Sequence, residues 1–244
     1  SISGWTYGEA AHTPVGTAKF GTVEFRYQPV KEGIADWNIF NPAASEAPTQ
    51  AGTYRLIAQV AAGEGYTALK SSEMQFTIAP AQVLLTAQDA AGVYGEAVKS
   101  PLTYTTAVLA GKVNSTDIAA LGVQLTTGVS ANSAAGAYPI TVNYTANSNI
   151  TVTTADGIYT VARKAITVTA ENATFVYDGR PHTAAAPRAA AQDGRTLADV
   201  TVYYGTSPVT SQNYGTANTA APTITNVGLM TVYYYVTGDN YTPV

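Results

Sequence analysis

Three stretches of the chain alternate apolar and polar residues with a period of two, and each begins just after a glycine. The glycines are Gly52, Gly136 and Gly228. The apolar positions two, four, six and eight residues later are Tyr54, Leu56, Ala58 and Val60, then Tyr138, Ile140, Val142 and Tyr144, then Met230, Val232, Tyr234 and Val236. A period of two along β-forming residues is typical of a strand with one face in a core. The shared phase predicts the same strand three times.

A second marker precedes each alternating stretch. The string "YGEAAHTP" begins at Tyr7, "YGEAVKSP" at Tyr94 and "YDGRPHTA" at Tyr177, so the tyrosines are 87 and 83 residues apart. Self-similarity at a nearly fixed period is the signature of a repeat architecture. The markers predict three repeats, over residues 1–80, 81–163 and 164–244.

Residues that favour a turn follow each motif tyrosine: Gly8 in the first repeat, Gly95 in the second, and Asp178 with Gly179 in the third. Glycine adopts positive φ without steric cost, as a chain leaving a sheet often requires. We interpret the motifs as turns at strand ends, where the tyrosine buries its ring and keeps its hydroxyl in water.

The composition agrees with a folded, strand-rich chain. Hydrophobic residues make up 46% and charged residues 11% of the 244 positions, which excludes a disordered tail. The apolar residues are mainly Ala, Val, Ile and Tyr, and Thr, Gly and Pro recur between them. We predict an all-β protein of three tandem β-sandwich-like repeats.

The connections between repeats are short, at "APAQ" (79–82) and "ARKA" (162–165). Such connections cannot act as flexible tethers, so we expect an elongated rod of about 100 Å. One segment departs from the all-β pattern. In "VNSTDIAALGV" (113–123), an N-cap at Ser115 or Thr116, Asp117 in the first turn and Gly122 as terminator predict a short helix, with a polar loop as the alternative.

Candidate catalytic residues are few. His12 and His182 each stand five positions after a motif tyrosine, but Lys99 takes that place in the middle repeat. A general base repeated with the fold would not tolerate that exchange, so we expect no enzyme activity and no catalytic residue. The chain has no cysteine, which excludes a thiol nucleophile and a cysteine-ligated zinc site. We expect no cofactor and no bound metal.

The formal net charge is −4, and the sequence shows neither a basic stripe for nucleic acid nor a polybasic patch for a membrane surface. It also has no run of about 18 apolar residues. We therefore expect no nucleic-acid partner and no membrane insertion of this segment.

Two surface features allow alternative interpretations. Asp239-Asn240 is interpreted as a turn, with a contribution to a calcium site between repeats as the alternative. The aromatic residues fill a sandwich core or form a sugar-stacking platform; they are Tyr203, Tyr204, Tyr233, Tyr234, Tyr235, Trp5 and Trp37. The Asn-x-Ser/Thr strings, those at Asn149 and Asn240 among them, are interpreted as a result of the Thr-rich composition. Whether a lysine forms an isopeptide cross-link with an asparagine or aspartate is left open by the sequence.

The order of these strings resembles the MBG repeats, bacterial immunoglobulin-like domains found in tandem in large cell-surface, adhesin-like proteins. The carriers are "WTYGE", "AGTYRLIAQV" and "FTIAP" in the first repeat, and "VYGEAVKSPLTYT", "AGAYPITVNY" and "YTVAR" in the second, similar to the YGX variant. "ITVTAENATFVYDGRPHT" and "VYYYVTGDNYTP" in the third are similar to the YDG variant. The resemblance implies an Ig-like fold, display outside a bacterial cell and a spacer or adhesive role. The partners it implies are neighbouring repeats, and a glycan or a host surface protein if the role is adhesive.

The third repeat departs from this pattern. The first two repeats close with "MQFTI" from Met74 and "GIYTV" from Gly157, but the sequence reaches Val244 before any counterpart. We expect the third repeat to lack its closing strand and to expose a sheet edge.

Overall fold

The structure is a computed structural model that describes residues 1–30, 44–192, 194, 197 and 199–244. The described residues are nearly all β, as predicted. The strands are β1 (Trp5–Thr6), β2 (Glu24–Pro29), β3 (Gly52–Val60), β4 (Leu69–Lys70), β5 (Met74–Ala79), β6 (Ala81–Ala87), β7 (Ala90–Val93), β8 (Tyr104–Ala110), β9 (Gln124–Thr127), β10 (Gly136–Asn143), β11 (Ile150–Ala155), β12 (Gly157–Ala162), β13 (Ile166–Thr169), β14 (His182–Thr183), β15 (Arg188–Ala191), β16 (Thr201–Gly205), β17 (Thr223–Ile224) and β18 (Tyr233–Thr237). A helix, α1, spans Ser115–Ala120, and a 3₁₀ turn spans Tyr214–Thr216.

The strands pair in several small sheets. The larger ones have the orders β1-β5-β3-β2 with β4 paired to β3, β7-β12-β10-β9, and β11-β6-β8. Three two-stranded sheets follow, β13-β15, β14-β17 and β16-β18. The all-β class is therefore confirmed. Three tandem Ig-like sandwiches in a rod, with the boundaries given above, stay predictions.

The first compact unit comprises residues 1–88, 103–126 and 140–157. A hydrophobic cluster in this unit contains Trp5, Tyr27, Tyr54, Leu56, Phe76 and Ile78. The ring of Phe76 stacks on Trp5 at 5.2 Å and on Tyr54 at 5.7 Å. Burial of side chains of this size contributes about 1.5–3 kcal/mol each, so this cluster helps to hold β1, β2, β3 and β5 together.

The second compact unit comprises residues 89–102, 127–139 and 158–244. Its hydrophobic cluster contains Ile166, Ala189, Val236 and Tyr241. Ile166 and Ala189 lie on β13 and β15, which pair antiparallel, and Val236 lies on β18. The small residue Ala189 leaves room for the ring of Tyr241, which is only 6% exposed.

The predicted alternation holds in part. Tyr54, Leu56 and Val60 are buried, but so are Arg55 and Ile57, so β3 is covered on both faces. The strong period-two pattern had predicted a polar outer face, and that expectation was wrong at these two positions.

The other two alternating stretches are shorter than predicted. Ile140 and Val142 are buried, whereas Tyr144 lies beyond the end of β10 and is 42% exposed. Just after Tyr144, the N–H of Thr145 donates to the carbonyl of Leu121 at 2.7 Å. In the third stretch Val236 is buried, while Met230 and Val232 precede β18.

The predicted short helix is present, but its N-cap is Asn114 and not Ser115 or Thr116. The Asn114 side chain accepts from the N–H of Asp117 at 2.9 Å, and the Asp117 carboxylate accepts from the N–H of Asn114 at 3.0 Å. This reciprocal pair is a capping box, which satisfies two helix-end donors at once. Gly122, with φ of +54°, follows the C-cap. None of the described helices is long and apolar enough to cross a membrane.

The closing strands of the first two repeats take the same place. β5 pairs parallel with β1, and β12 pairs parallel with β7. β1 and β7 directly precede the motif tyrosines Tyr7 and Tyr94. In the third repeat the backbone at 175–177, up to the motif tyrosine, forms no strand, and β18 pairs with β16. Val236 of β18 and Val244 also exchange two backbone hydrogen bonds of 2.8 and 3.0 Å. Part of the edge of β18 is therefore paired within the chain.

Candidate functional site: the tyrosine turns and the repeat junctions

The three motif turns share one backbone conformation. Gly8 and Gly95 have φ of +79°, and Gly179 has φ of +72°. This left-handed region strongly favours glycine, since a Cβ would approach the following carbonyl. Tyr7 follows β1 directly and Tyr94 follows β7 directly, so both turns lie at strand ends.

Tyr7 contacts residues of the first and the middle repeat. Its N–H donates to the carbonyl of Ala79 at 2.8 Å, and its own carbonyl accepts from the N–H of Lys112 at 3.0 Å. Its hydroxyl donates to Oδ1 of Asp117 at 3.0 Å. Burial, followed by the hydrogen bond and charge of Asp117, raises the pKa of the Tyr7 hydroxyl. Tyr7 therefore joins the end of β5 to Lys112 and to Asp117 of α1.

Tyr94 takes the corresponding place in the second compact unit. Its N–H donates to the carbonyl of Ala162 at 3.0 Å, and its ring meets that of Tyr241 edge-on at 5.6 Å. Burial, followed by the hydrogen bond to Asp199, raises the pKa of Tyr241 to about 12. Tyr94 of the predicted middle repeat thus packs against Tyr241 of the predicted third repeat, and the Tyr241 hydroxyl is in turn hydrogen-bonded to Asp199.

Tyr177 is placed differently. It is 62% exposed, and its neighbours Phe175 and Val176 are 50% and 87% exposed. The glycine of the third alternating stretch, Gly228, lies between Val227 and Leu229, which are 85% and 94% exposed. The residues around Tyr177 and Gly228 are therefore exposed.

An asparagine forms the second part of the junction in the first compact unit. Oδ1 of Asn149 accepts the N–H of Ala51 at 2.8 Å, and its Nδ2 donates to Oε1 of Gln50 at 2.5 Å. Its backbone carbonyl accepts the N–H of Ala81 at 2.9 Å. Asn149 thus connects the start of β3, just before Gly52, to the first residue of β6. We call this arrangement the asparagine clasp.

The second compact unit contains the same clasp. Oδ1 of Asn240 accepts the N–H of Ala135 at 2.8 Å, just before Gly136 at the start of β10. The backbone carbonyl of Asn240 accepts the N–H of Lys164 at 2.9 Å. The N–H of Thr242 donates to the carbonyl of Lys164, also at 2.9 Å. In both junctions the asparagine therefore accepts two backbone N–H groups. Its Oδ1 accepts from Ala51 or Ala135, and its backbone carbonyl accepts from Ala81 or Lys164.

Sequence reasoning missed the clasp residues, since it assigned Asn149 to a composition effect and Asn240 to a turn or a calcium site. The available signal was the position of the asparagine within the repeat. Asn149 in "NSNIT" and Asn240 in "GDNYT" stand in the same context, and Gly65 stands there in "GEGYT" of the first repeat.

The charged residues of the third motif form a local turn. Oδ1 of Asp178 accepts the N–H of Arg180 at 2.9 Å and lies 3.0 Å from Nε2 of His182. The hydrogen bond from Arg180, followed by the charge of His182, lowers the pKa of Asp178. The ring of Phe175 stacks on His182 at 4.5 Å. The side chains of Asp178 and His182 are 48% and 23% exposed, so the pair lies at the surface.

The aromatic residues divide between core and surface. Trp5 is 6% exposed in the hydrophobic cluster of the first compact unit, and Trp37 lies outside the described residues. On the β16-β18 sheet, Tyr214 stacks on Tyr235 at 5.0 Å and meets Tyr203 edge-on at 5.0 Å. Among the described residues, no group of three or more His, Asp or Glu side chains is placed to hold a metal ion.

Comparison with known proteins gives one family match. The search of curated proteins and the search of solved structures found no match. Residues 83–160 match the family model of the MBG domain, YGX type, and nearly coincide with the middle repeat predicted at 81–163. Over residues 83–160 the chain is therefore similar to MBG domains of the YGX type, while the number of tandem copies and the YDG variant stay predictions.

Proposed function

We propose that this chain is a non-catalytic spacer or stalk segment of an adhesin-like protein outside a bacterial cell. The family match supports a surface-protein repeat module. The observation that carries the proposal is the recurrence of one set of contacts in two junctions, the asparagine clasp beside the motif tyrosine.

The junction contacts suit a spacer because they hold backbone to backbone. In both clasps the asparagine Oδ1 lies only three bonds from its own Cα and accepts a backbone N–H. Such a link gives a neighbouring repeat little freedom to rotate, whereas exposed ion pairs between long side chains would permit motion. On this proposal the partners of the segment are neighbouring repeats, and neither nucleic acid nor a membrane interior is among them.

Force spectroscopy on the whole chain, pulled from its two ends, tests the spacer role. A segment that carries load should resist extension and then unfold in discrete steps, because each folded portion loses its core cooperatively. Smooth extension without steps would contradict a load-bearing role. Because the chain has no cysteine, a thiol introduced at each end provides unambiguous attachment.

A second candidate function is adhesive, and the stacked tyrosines Tyr203, Tyr214 and Tyr235 favour it. Aromatic faces of this kind bind the apolar face of a sugar ring, and all three rings are partly accessible. A glycan array with the wild-type chain and the Tyr214→Ala variant tests it. Tyr233→Ala is a matched control, since Tyr233 is exposed and lies on β18 beside Tyr235 but outside the stack. Specific glycan binding lost only with Tyr214→Ala would support adhesion to glycans, and an array without a hit would contradict it.

A further inference from the structure

The sheet formed by β16 and β18 carries two tyrosines side by side on its outer face. Tyr203 and Tyr235 lie directly opposite each other in the antiparallel register. Tyr204 and Val236, the next residues along the two strands, are 6% and 0% exposed, so the inner face of the sheet enters the core. Because side chains alternate between the two faces of a strand, Tyr203 and Tyr235 point outward, and both are half-buried.

The loop that follows β16 folds back over this face and supplies a third ring. Oδ1 of Asn213 accepts the N–H of Thr210 at 2.7 Å, and the N–H of Tyr214 donates to the carbonyl of Thr210 at 3.0 Å. The loop closes where Tyr204 and Asn218 exchange two backbone hydrogen bonds of 2.7 and 3.3 Å. These contacts fix the 3₁₀ turn that carries Tyr214, so the loop itself defines where the ring of Tyr214 lies.

Tyr214 packs against both outward tyrosines of the sheet, but the two contacts differ in angle. Its ring centroid is 5.0 Å from that of Tyr235, with 27° between the ring planes, and 5.0 Å from that of Tyr203, with 69°. The rings of Tyr214 and Tyr235 therefore turn their π faces towards each other. In the described part of the chain, the other close pair of tyrosine rings is Tyr94 with Tyr241, which meet edge-on at 5.6 Å, and Tyr241 is buried.

This geometry suits the coupling of two tyrosyl radicals. The new bond forms between ring carbons beside the hydroxyl-bearing carbon, and it requires that the π lobes of the two carbons face each other, as in nearly parallel rings. Because the loop holds the two rings together, the radicals meet without diffusion. Both rings are partly accessible to an oxidant, and the chain has no cysteine, so no thiol of its own reduces the radicals first.

We propose that Tyr214 and Tyr235 form a site of oxidative cross-linking, at which a dityrosine bond joins the loop to β18. The co-reactant is hydrogen peroxide, used by a haem peroxidase. Each tyrosine gives up one electron and its hydroxyl proton, and the two radicals form one C–C bond. The hydrogens on the two bonded carbons then move to the oxygens and restore both phenols. The two electrons and two protons released reduce one hydrogen peroxide to two water molecules.

The cross-link makes a ring of the chain between the two tyrosines, residues 215–234. A covalent link of this kind removes conformations from the unfolded chain and thereby stabilises the folded one. In a chain without cysteine, it supplies a staple that a disulfide cannot. The site stands apart from the proposed spacer role, since its geometry involves neither clasp.

Treatment of the whole chain with a haem peroxidase and limiting hydrogen peroxide, at micromolar protein concentration, tests the proposal. The monomer is then separated from chains linked to one another. It should show the blue fluorescence of dityrosine and a mass lower by two hydrogen atoms. It should also unfold at a higher urea concentration than the untreated chain.

Four variants that keep the ring and remove the hydroxyl assign the bond. Tyr214→Phe and Tyr235→Phe should lose both the monomer fluorescence and the shift in urea, since phenylalanine forms no phenoxyl radical. Tyr203→Phe and Tyr233→Phe, at tyrosines of the same sheet, should keep both. A wild-type monomer without dityrosine, fluorescence that survives Tyr214→Phe or Tyr235→Phe, or fluorescence lost with either control variant would overturn the proposal.

Discussion

Oδ1 of Asn149 accepts the backbone N–H of Ala51 at 2.8 Å, across 98 residues of sequence. Asn240 and Ala135 form the same bond at the same distance in the other compact unit. A short amide side chain that reaches a backbone donor in the neighbouring repeat fixes two chain segments against each other. The predictions below follow from this pairing and from the turns beside it.

Asn149→Ala should weaken the junction selectively. The Ala51 amide should lose its protection from hydrogen exchange, while the Ala81 amide should keep it, since Ala81 donates to the backbone carbonyl of Asn149. We expect a loss of about 1–3 kcal/mol in the free energy of unfolding.

Asn149→Asp provides the matched comparison, because it keeps an oxygen acceptor for the Ala51 N–H while it replaces the donor to Gln50 with a charged carboxylate oxygen. It should leave the Ala51 amide protected. Asn172→Ala, at an exposed asparagine outside both junctions, should change the free energy of unfolding by less than about 0.5 kcal/mol. Equal effects of all three substitutions would show that the clasp contributes nothing specific.

Gly8→Ala should be more destabilising than Gly179→Ala, although both glycines have positive φ. A Cβ at Gly8 would collide with the carbonyl of Lys112, whereas a Cβ at Gly179 would meet nothing within 4 Å. Gly179→Ala should cost about 1–2 kcal/mol from backbone strain alone. Urea unfolding should show a larger loss for Gly8→Ala, and equal losses would mean that the first turn does not touch the middle repeat.

Tyr7 and Asp117 should be coupled energetically. In a double-mutant cycle with Tyr7→Phe and Asp117→Ala, we expect a coupling of about 1 kcal/mol from their 3.0 Å hydrogen bond. The control cycle pairs Asp117→Ala with Tyr54→Phe, since the Tyr54 hydroxyl donates to the Gln50 carbonyl instead. Coupling in the control cycle and none in the first would rule out the tyrosine contact.

Tyr241 should titrate near pH 12, above the ordinary value of about 10 for tyrosine. Because folding raises this pKa, its contribution to stability is complete below about pH 10 and is lost as the pH rises towards 12. Asp199→Asn should lower the pKa, while Asp239→Asn should leave it unchanged. Ultraviolet titration of tyrosinate measures the pKa in each variant. The Tyr241→Phe variant identifies which ionisation, expected near pH 12, belongs to Tyr241.

Several strands could be predicted from the sequence, but the contacts between the predicted repeats could not. Period-two alternation located β3 and β10 because one face of each strand must enter a core. It failed at Arg55 and Ile57, since burial of the second face depends on elements distant in sequence. The partner of Asn149 was equally invisible, because a polar loop residue gives no local indication of a donor 98 positions away. The recurrence of asparagine in two repeats was the one feature that pointed to it.

The central claim is that the clasps hold neighbouring repeats in a fixed arrangement, and a distance measurement tests it most directly. Spin labels at Gln75→Cys on β5 and Thr106→Cys on β8 occupy exposed strand positions on the two sides of the first junction, and the chain has no other cysteine. Pulsed electron spin resonance should give one narrow distance distribution for the wild-type background and a broader one after Asn149→Ala. A distribution that is broad from the start, or one that Asn149→Ala leaves unchanged, would contradict the account.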